Sequence, residues 1–232
     1  MMNVKFGIIG AINEEIADLK SKMEFLATVT IAGNEFFRGN LYGCEIVLVE
    51  CGIGKVNAAL CTQALVDKFS PEFVINTGVA GGMNESVGIG DIVVSTDLVQ
   101  HDFDASAFGH CEVGEISRPG IRFFKADDRL IKAALGADVT TYKMLKGRIA
   151  TGDQFIAEKE RKDRIKDLFA PLCVEMEGAA IAHVCYLNNV PFVVIRAVSD
   201  NADGSADISF EKFLELAALN SSLIVEEILR SL

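Results

Sequence analysis

The sequence predicts an α/β fold: a single domain over residues 1–232, built as a mixed twisted sheet with helices on both sides. Three observations predict it. Short apolar, β-branched runs alternate along the chain with segments of helical period. Half of the 232 residues are hydrophobic, enough for one sizeable core. No linker-like stretch, internal repeat or low-complexity tract divides the chain.

The elements follow in order. Val4–Ile9 reads as a strand and Glu14–Met23 as a helix, with Asn13 as its N-cap. The runs Phe25–Ala32, Glu35–Tyr42 and Glu45–Cys51 predict a meander, turning at Gly33-Asn34 and Tyr42-Gly43. Lys55–Phe69 predicts a helix ending shortly before Pro71, and Phe73–Asn76 a short buried strand. Asp91–Val99 is strand-like. The Gly-rich, polar stretch from His101 to Phe124 has no period and predicts a long loop. Beyond it come a helix at Asp127–Leu135, a strand at Met144–Ala150 and a charged helix at Ala157–Phe169. Val174–Met176 reads as a short strand leading into a helix, Glu177–Leu187. Pro191–Val198 is a fully apolar strand, and Phe210 to Leu229 a closing helix capped by Ser209. Strands that end in Gly, Glu or Asp point to a site along the carboxyl edge of the sheet.

Composition narrows the function. A formal charge of −11 argues against non-specific binding to nucleic acid or anionic membrane, because like charges repel. No apolar run approaches the ~18 residues that a bilayer crossing needs. Met1-Met2-Asn3-Val4-Lys5-Phe6 has none of the parts of a secretory signal. The expectation is a soluble, cytoplasmic protein that partners neither nucleic acid nor membrane. Cys44, Cys51, Cys61, Cys111, Cys173 and Cys185 are unequally spaced with no Cys-x-x-Cys pair, which favours buried free thiols over disulfides or a zinc site.

Among the glycine motifs, Gly52-Ile53-Gly54-Lys55 lacks both the spacer and the Ser/Thr of a phosphate loop. It reads as a tight strand-to-helix turn whose glycines permit positive φ. Asn76-Thr77-Gly78-Val79-Ala80-Gly81-Gly82 is either a surface where ligand meets backbone directly or simply a bent loop. His101-Asp102-Phe103-Asp104 invites a metal assignment, but no further ligand set converges with it. A solvated or interface loop is the better reading, and no metal or cofactor is expected. His110 and His183 are isolated, and His183 reads as structural.

The carboxylates are more informative. Glu14 and Glu15 open the first helix, where capping and the helix dipole are sufficient reason for acidic residues. Glu175 and Glu177 flank Met176 at a strand end. Asp200 ends the most apolar strand in the chain, where burial favours a protonated acid. Carboxylates at strand ends without a metal set suggest acid–base chemistry on a sugar.

At these same residues the chain resembles the bacterial 5′-methylthioadenosine/S-adenosylhomocysteine nucleosidases. The resemblance runs from Gly7–Glu15 to Ser209-Phe210. It is most specific at Cys51–Val56, Asn76–Gly82, Gly152–Ile156, Val174–Cys185 and Arg196–Asp200. It implies the phosphorylase/nucleosidase fold, a homodimer and adenine nucleosides as small-molecule partners. It also implies hydrolysis of the N-glycosidic bond of methylthioadenosine, S-adenosylhomocysteine and 5′-deoxyadenosine. Aminodeoxyfutalosine hydrolysis and purine nucleoside phosphorolysis are the alternative activities.

By that resemblance Glu15 is the general base and Asp200 the general acid. Glu177 holds the ribose hydroxyls, beside Met176, which packs on the sugar. Phe155 stacks on adenine, the Ile156 backbone reads its edge, and Gly81 lies against the nucleoside. Arg196 and Ser199 support the water and the acid. Ile12, Ile53 and Phe210 line the 5′ pocket, and Phe108 comes from the other subunit. Ile12 in place of Met, Val79 in place of Ser and Ile116 in place of Pro depart from the family pattern.

Overall fold

The computed structural model describes residues 3–109, 111–138, 142–202 and 206–232, apart from the side chains of residues 206–209 and 212. The chain begins with β1 (Phe6–Gly10), α1 (Asn13–Lys22) and the meander β2 (Glu24–Ile31), β3 (Asn34–Leu41) and β4 (Cys44–Glu50). Next are α2 (Lys55–Phe69), β5 (Phe73–Gly82), β6 (Ile92–Gln100), β7 (Phe124–Lys125) and α3 (Asp128–Leu135). The remainder is β8 (Met144–Thr151), α4 (Lys159–Phe169), β9 (Cys173–Glu175), α5 (Gly178–Asn188), β10 (Phe192–Asp200) and α6 (Ala206–Ser231). None of the described helices is long and apolar enough to cross a membrane.

The sheet is mixed, as its alternating pattern predicts, and part of it closes on itself. β10 pairs with both β5 and β6, β6 pairs with β8, β8 with β9, and β9 returns to β5. Closure leaves those strands without open edges. β1 joins the free side of β5, and the meander extends the sheet outward through β4, β3 and β2.

Helices cover both faces. A Cβ on Gly7 would run into Leu65 of α2, whereas one on Gly10 would meet Ile16 and Glu15 of α1. Odd and even positions of β1 thus face different helices. The core beneath them is built from fully buried β-branched and aromatic side chains such as Phe6, Ile8, Val74, Val193 and Ile195.

Local differences from the sequence reading have physical causes. The N-cap of α1 is Ile12, not Asn13, because the Glu15 carboxylate reaches back to the freed N–H groups and replaces an Asn cap. The first meander turn falls on Ala32-Gly33, both at positive φ, one residue before the expected pair. The strand expected to end at Asn76 runs on through residues 77–82, because β10 and β9 bond β5 as far as Gly81 and Gly82. The described part of the stretch from His101 onward is largely loop, with a 3-10 turn at Ser106–Phe108, and its end pairs as β7.

Five of the cysteines are buried free thiols as expected, but Cys111 is partly exposed. His183 stacks on Phe124 at 4.9 Å, a packing role. The expected cap Ser209 lies outside the described side chains, and α6 already begins at Ala206. His110 also lies outside the described residues.

Candidate active site

Four strands deliver their carboxyl ends to one cleft. β1, β5 and β10 run parallel side by side, so Gly10, Gly81 and Asp200 finish near each other. β9 ends beside them at Glu175, its Val174 paired with Gly81. A register shift between Val198 and Asp200 marks a bulge next to the site, which turns Ser199 and Asp200 relative to the strand below. The cleft is lined by Ile12, Glu15, Ile53, Gly81, Phe155, Ile156, Met176, Glu177, Ser199, Asp200 and Phe210, together with Ala11, Val79, Ala80, Gln154, Val174 and Glu175.

Two sequence-predicted residues are not in that lining. Arg196 lies beneath the floor, fully buried. Phe108 stands 80% exposed on its turn, away from the cleft of its own chain.

Glu15 is held from three sides. Its Oε2 accepts the N–H groups of Ala11 at 2.6 Å and Ile12 at 3.4 Å, and its Oε1 accepts that of Val79 at 3.0 Å. Space for the carboxyl exists because residue 78 is glycine: a Cβ there would lie 2.3 Å from Glu15 Oε1. Burial drives the Glu15 pKa above the ordinary carboxylate value, against the pull of Arg196 and the backbone donors.

The floor is a buried ionic cluster. Arg196 Nη2 donates to Asn76 Oδ1 at 2.6 Å and to Glu175 Oε2 at 2.5 Å, while Glu177 Oε2 lies 3.9 Å away. Glu175 also accepts the Thr151 hydroxyl and the N–H groups of Glu177 and Gly178. Burial opposes the Arg196 charge, but Glu175, Glu15 and Glu177 together hold the guanidinium firmly protonated. Glu177, with Gly54 N–H on its Oε1 at 2.8 Å, is pushed up to about 8 by burial and by the neighbouring Glu175 charge.

Asp200 accepts the Ser199 hydroxyl at 2.9 Å on Oδ2 and the Ala202 N–H at 2.7 Å on Oδ1. Over the opposite wall Phe155 meets Phe210 edge to face, with ring centres 5.9 Å apart. The turn Gly52–Lys55 brings Ile53 to the rim. Gly52 and Gly54, at φ 82° and 98°, make that turn possible, as the sequence predicts.

Asn76, Thr151 and Glu175 complete the floor without having been singled out as site residues in the sequence. Only Glu175 carries a signal, its place at a strand end; the partners of a buried arginine come from strands far apart in the chain. Of the solvated or interface loop expected at His101-Asp102, the solvated alternative does not hold: His101 is buried, and Asp102 pairs with Lys55 at 2.6 Å.

The profile of the Phosphorylase superfamily matches residues 5–230, which take in every residue of this acidic cleft. A 5′-methylthioadenosine/S-adenosylhomocysteine nucleosidase of Anoxybacillus flavithermus is 47% identical, over 97% of each chain. The crystal structure of the corresponding nucleosidase from Neisseria meningitidis, in complex with methylthio-immucillin-A, superposes with a TM-score of 0.95 at 41% identity. That alignment covers 98% of this chain and 99% of the other. A futalosine hydrolase of Helicobacter pylori superposes at 0.93 with 37% identity, covering 99% and 98% of the two chains. The chain belongs to the 5′-methylthioadenosine/S-adenosylhomocysteine nucleosidase family.

Proposed function

We propose that the protein hydrolyses the N-glycosidic bond of 5′-methylthioadenosine and S-adenosylhomocysteine, and of 5′-deoxyadenosine, releasing adenine and the 5′-substituted ribose. The observation that carries this reading is the make-up of the cleft: Glu15, Glu175, Glu177 and Asp200 line it, and no lysine or arginine does among the described residues. Cleavage builds positive charge on the ribose, which carboxylates favour. A phosphorylase would have to hold an inorganic phosphate there without a lysine or arginine on the described wall.

In this mechanism Glu15 takes a proton from the attacking water, its raised pKa bringing it closer to neutrality as a base. Asp200, oriented by Ser199 and Ala202, gives a proton to N7 of the leaving adenine. Glu177 and Met176 hold the ribose. Phe155 stacks on the base, the Ile156 backbone reads its edge, and Gly81 gives the nucleoside close access to the backbone. Arg196 acts from below by fixing the carboxylates. Ile12, Ile53 and Phe210 surround the 5′ substituent.

A homodimer completes the site in this reading. Phe108, exposed on its turn, would close the partner's 5′ pocket, and Ile53, Val56 and Leu60 present an exposed apolar stripe beside the cleft rim. Sedimentation tests it, and a fully active monomer would rule it out. A cytoplasmic location and a role in methionine salvage belong to the same proposal.

The likeness to a futalosine hydrolase supports a second substrate, aminodeoxyfutalosine, which also presents adenine on a 5′-extended ribose. The test is adenine release from each nucleoside with and without phosphate. Release independent of phosphate, with no ribose-1-phosphate, is expected; strict phosphate dependence would make the protein a phosphorylase.

A further inference from the structure

Beside the cleft, three hydrogen bonds and an ion pair join segments far apart in sequence. Lys55 Nζ lies 2.6 Å from Asp102 Oδ1 and 3.2 Å from Gln100 Oε1. The other oxygen of Asp102 accepts the N–H of Asp153 at 2.9 Å, and Asp153 Oδ1 accepts the N–H of Lys55 at 2.8 Å. The ring is closed: each of the three residues touches the other two. Lys55 and Asp102 are each only 17% exposed at the side chain, so solvent screens the pair poorly.

Each corner carries part of the binding surface. Lys55 follows Gly54, whose N–H holds Glu177, and stands two residues after Ile53. Asp153 stands two residues before Phe155. Asp102 opens the loop that leads to Phe108. The Asp153 loop also lies flat on His101, where a Cβ on Gly152 would come within 2.3 Å of the imidazole Nε2. Exposed loops at a ligand site are otherwise free to drift, and loss of position there weakens binding before it alters the chemistry.

We infer that Lys55, Asp102 and Asp153 form a positioning clamp that locks the base-stacking loop to the ribose and 5′ walls, so that the cleft is preformed before nucleoside enters. This rests on the nucleosidase reading for its kinetic test but not for its structural one. The Asp102 carboxylate stays ionised across the working range: burial opposes its charge, and Lys55 with the Asp153 N–H outweighs that.

The experiment uses the full chain with Lys55→Met, Asp102→Ala, the double variant and Lys55→Arg. Both single variants should raise KM for methylthioadenosine about tenfold while kcat falls less than threefold. The double variant should be no worse than either single, because one closed ring fails once. Lys55→Arg should recover most of the affinity. Hydrogen exchange, which needs no turnover, should show the Asp153 and Lys55 amides exchanging at least tenfold faster in Asp102→Ala, with β5 and β10 unchanged. Unchanged KM and unchanged local exchange would overturn the clamp, as would losses that multiply in the double variant. A wild-type protein that released no adenine would count against the proposed function alone, and the exchange data would still decide the clamp.

Discussion

Arg196 Nη2 sits 2.5 Å from Glu175 Oε2 but 3.9 Å from Glu177 Oε2, so the buried guanidinium neutralises Glu175 first and leaves Glu177 weakly opposed. The two glutamates stand equally far from Met176, one on either side, yet the buried cation sits close to only one of them. Arg196→Met should therefore cost about 3–5 kcal/mol, the range for breaking a buried pair and stranding its carboxylate. Urea unfolding measures it. A loss below about 1 kcal/mol, no more than a surface pair is worth, would mean that the cluster does not rest on this cation.

The same asymmetry gives a pH signature. The folded Glu177 titrates at about 8 against an ordinary 4.5, chiefly through burial. Between those values the folded state binds a proton that the unfolded state has released, so stability falls as pH rises through the window. Glu177→Gln removes the effect. Relative to wild type, the variant should gain more than about 1.4 kcal/mol in going from pH 5 to pH 8, the worth of one pH unit. Parallel stability curves would show that Glu177 ionises freely in the fold.

Glu15→Gln should fold and bind a methylthioadenosine analogue but lose about 10²–10⁴ in turnover, because an amide takes no proton from water. The wild-type acid limb of kcat/KM should lie above the ordinary carboxylate range, as the raised pKa of Glu15 requires. Near-normal turnover by the variant would move the base elsewhere.

Asp200→Asn should stop turnover of adenine nucleosides while the fold survives. The amide can still hydrogen-bond N7 but delivers no proton to it. A 5′-methylthio riboside with a nitrophenyl leaving group needs no such proton and should suffer less. Equal losses in kcat/KM on both substrates would make Asp200 an orienting group and not the acid.

Much of this was legible in the sequence because it depends on local pattern. α2 matches its apolar periodicity from Lys55 to Phe69, and the carboxyl-edge site follows from what ends each strand. The carboxylates Glu15, Glu177 and Asp200 do converge on one cleft. What stayed hidden is what distance in the chain conceals. Residues 77–82 lay beyond the expected strand Phe73–Asn76 because glycine is a poor strand former, yet two neighbouring strands hold them extended. Asp102 read as part of a solvated or interface loop, since nothing local reveals that its partner is a lysine 47 positions away. The closure of β10 onto both β5 and β6 is likewise a fact about pairing, which periodicity does not encode.

The thiols carry a practical consequence. Cys51 stands in the turn at the cleft rim, but burial pushes it, like Cys61, Cys173 and Cys185, far toward the protonated form, and a thiol without its anion is a poor nucleophile. Cys44 is buried as well, so an alkylating reagent at neutral pH meets one accessible sulfur, Cys111, three positions beyond Phe108. The native chain thus comes with a single labelling point, on the loop proposed to cross between subunits, and a fluorophore placed there would report assembly without any engineered cysteine.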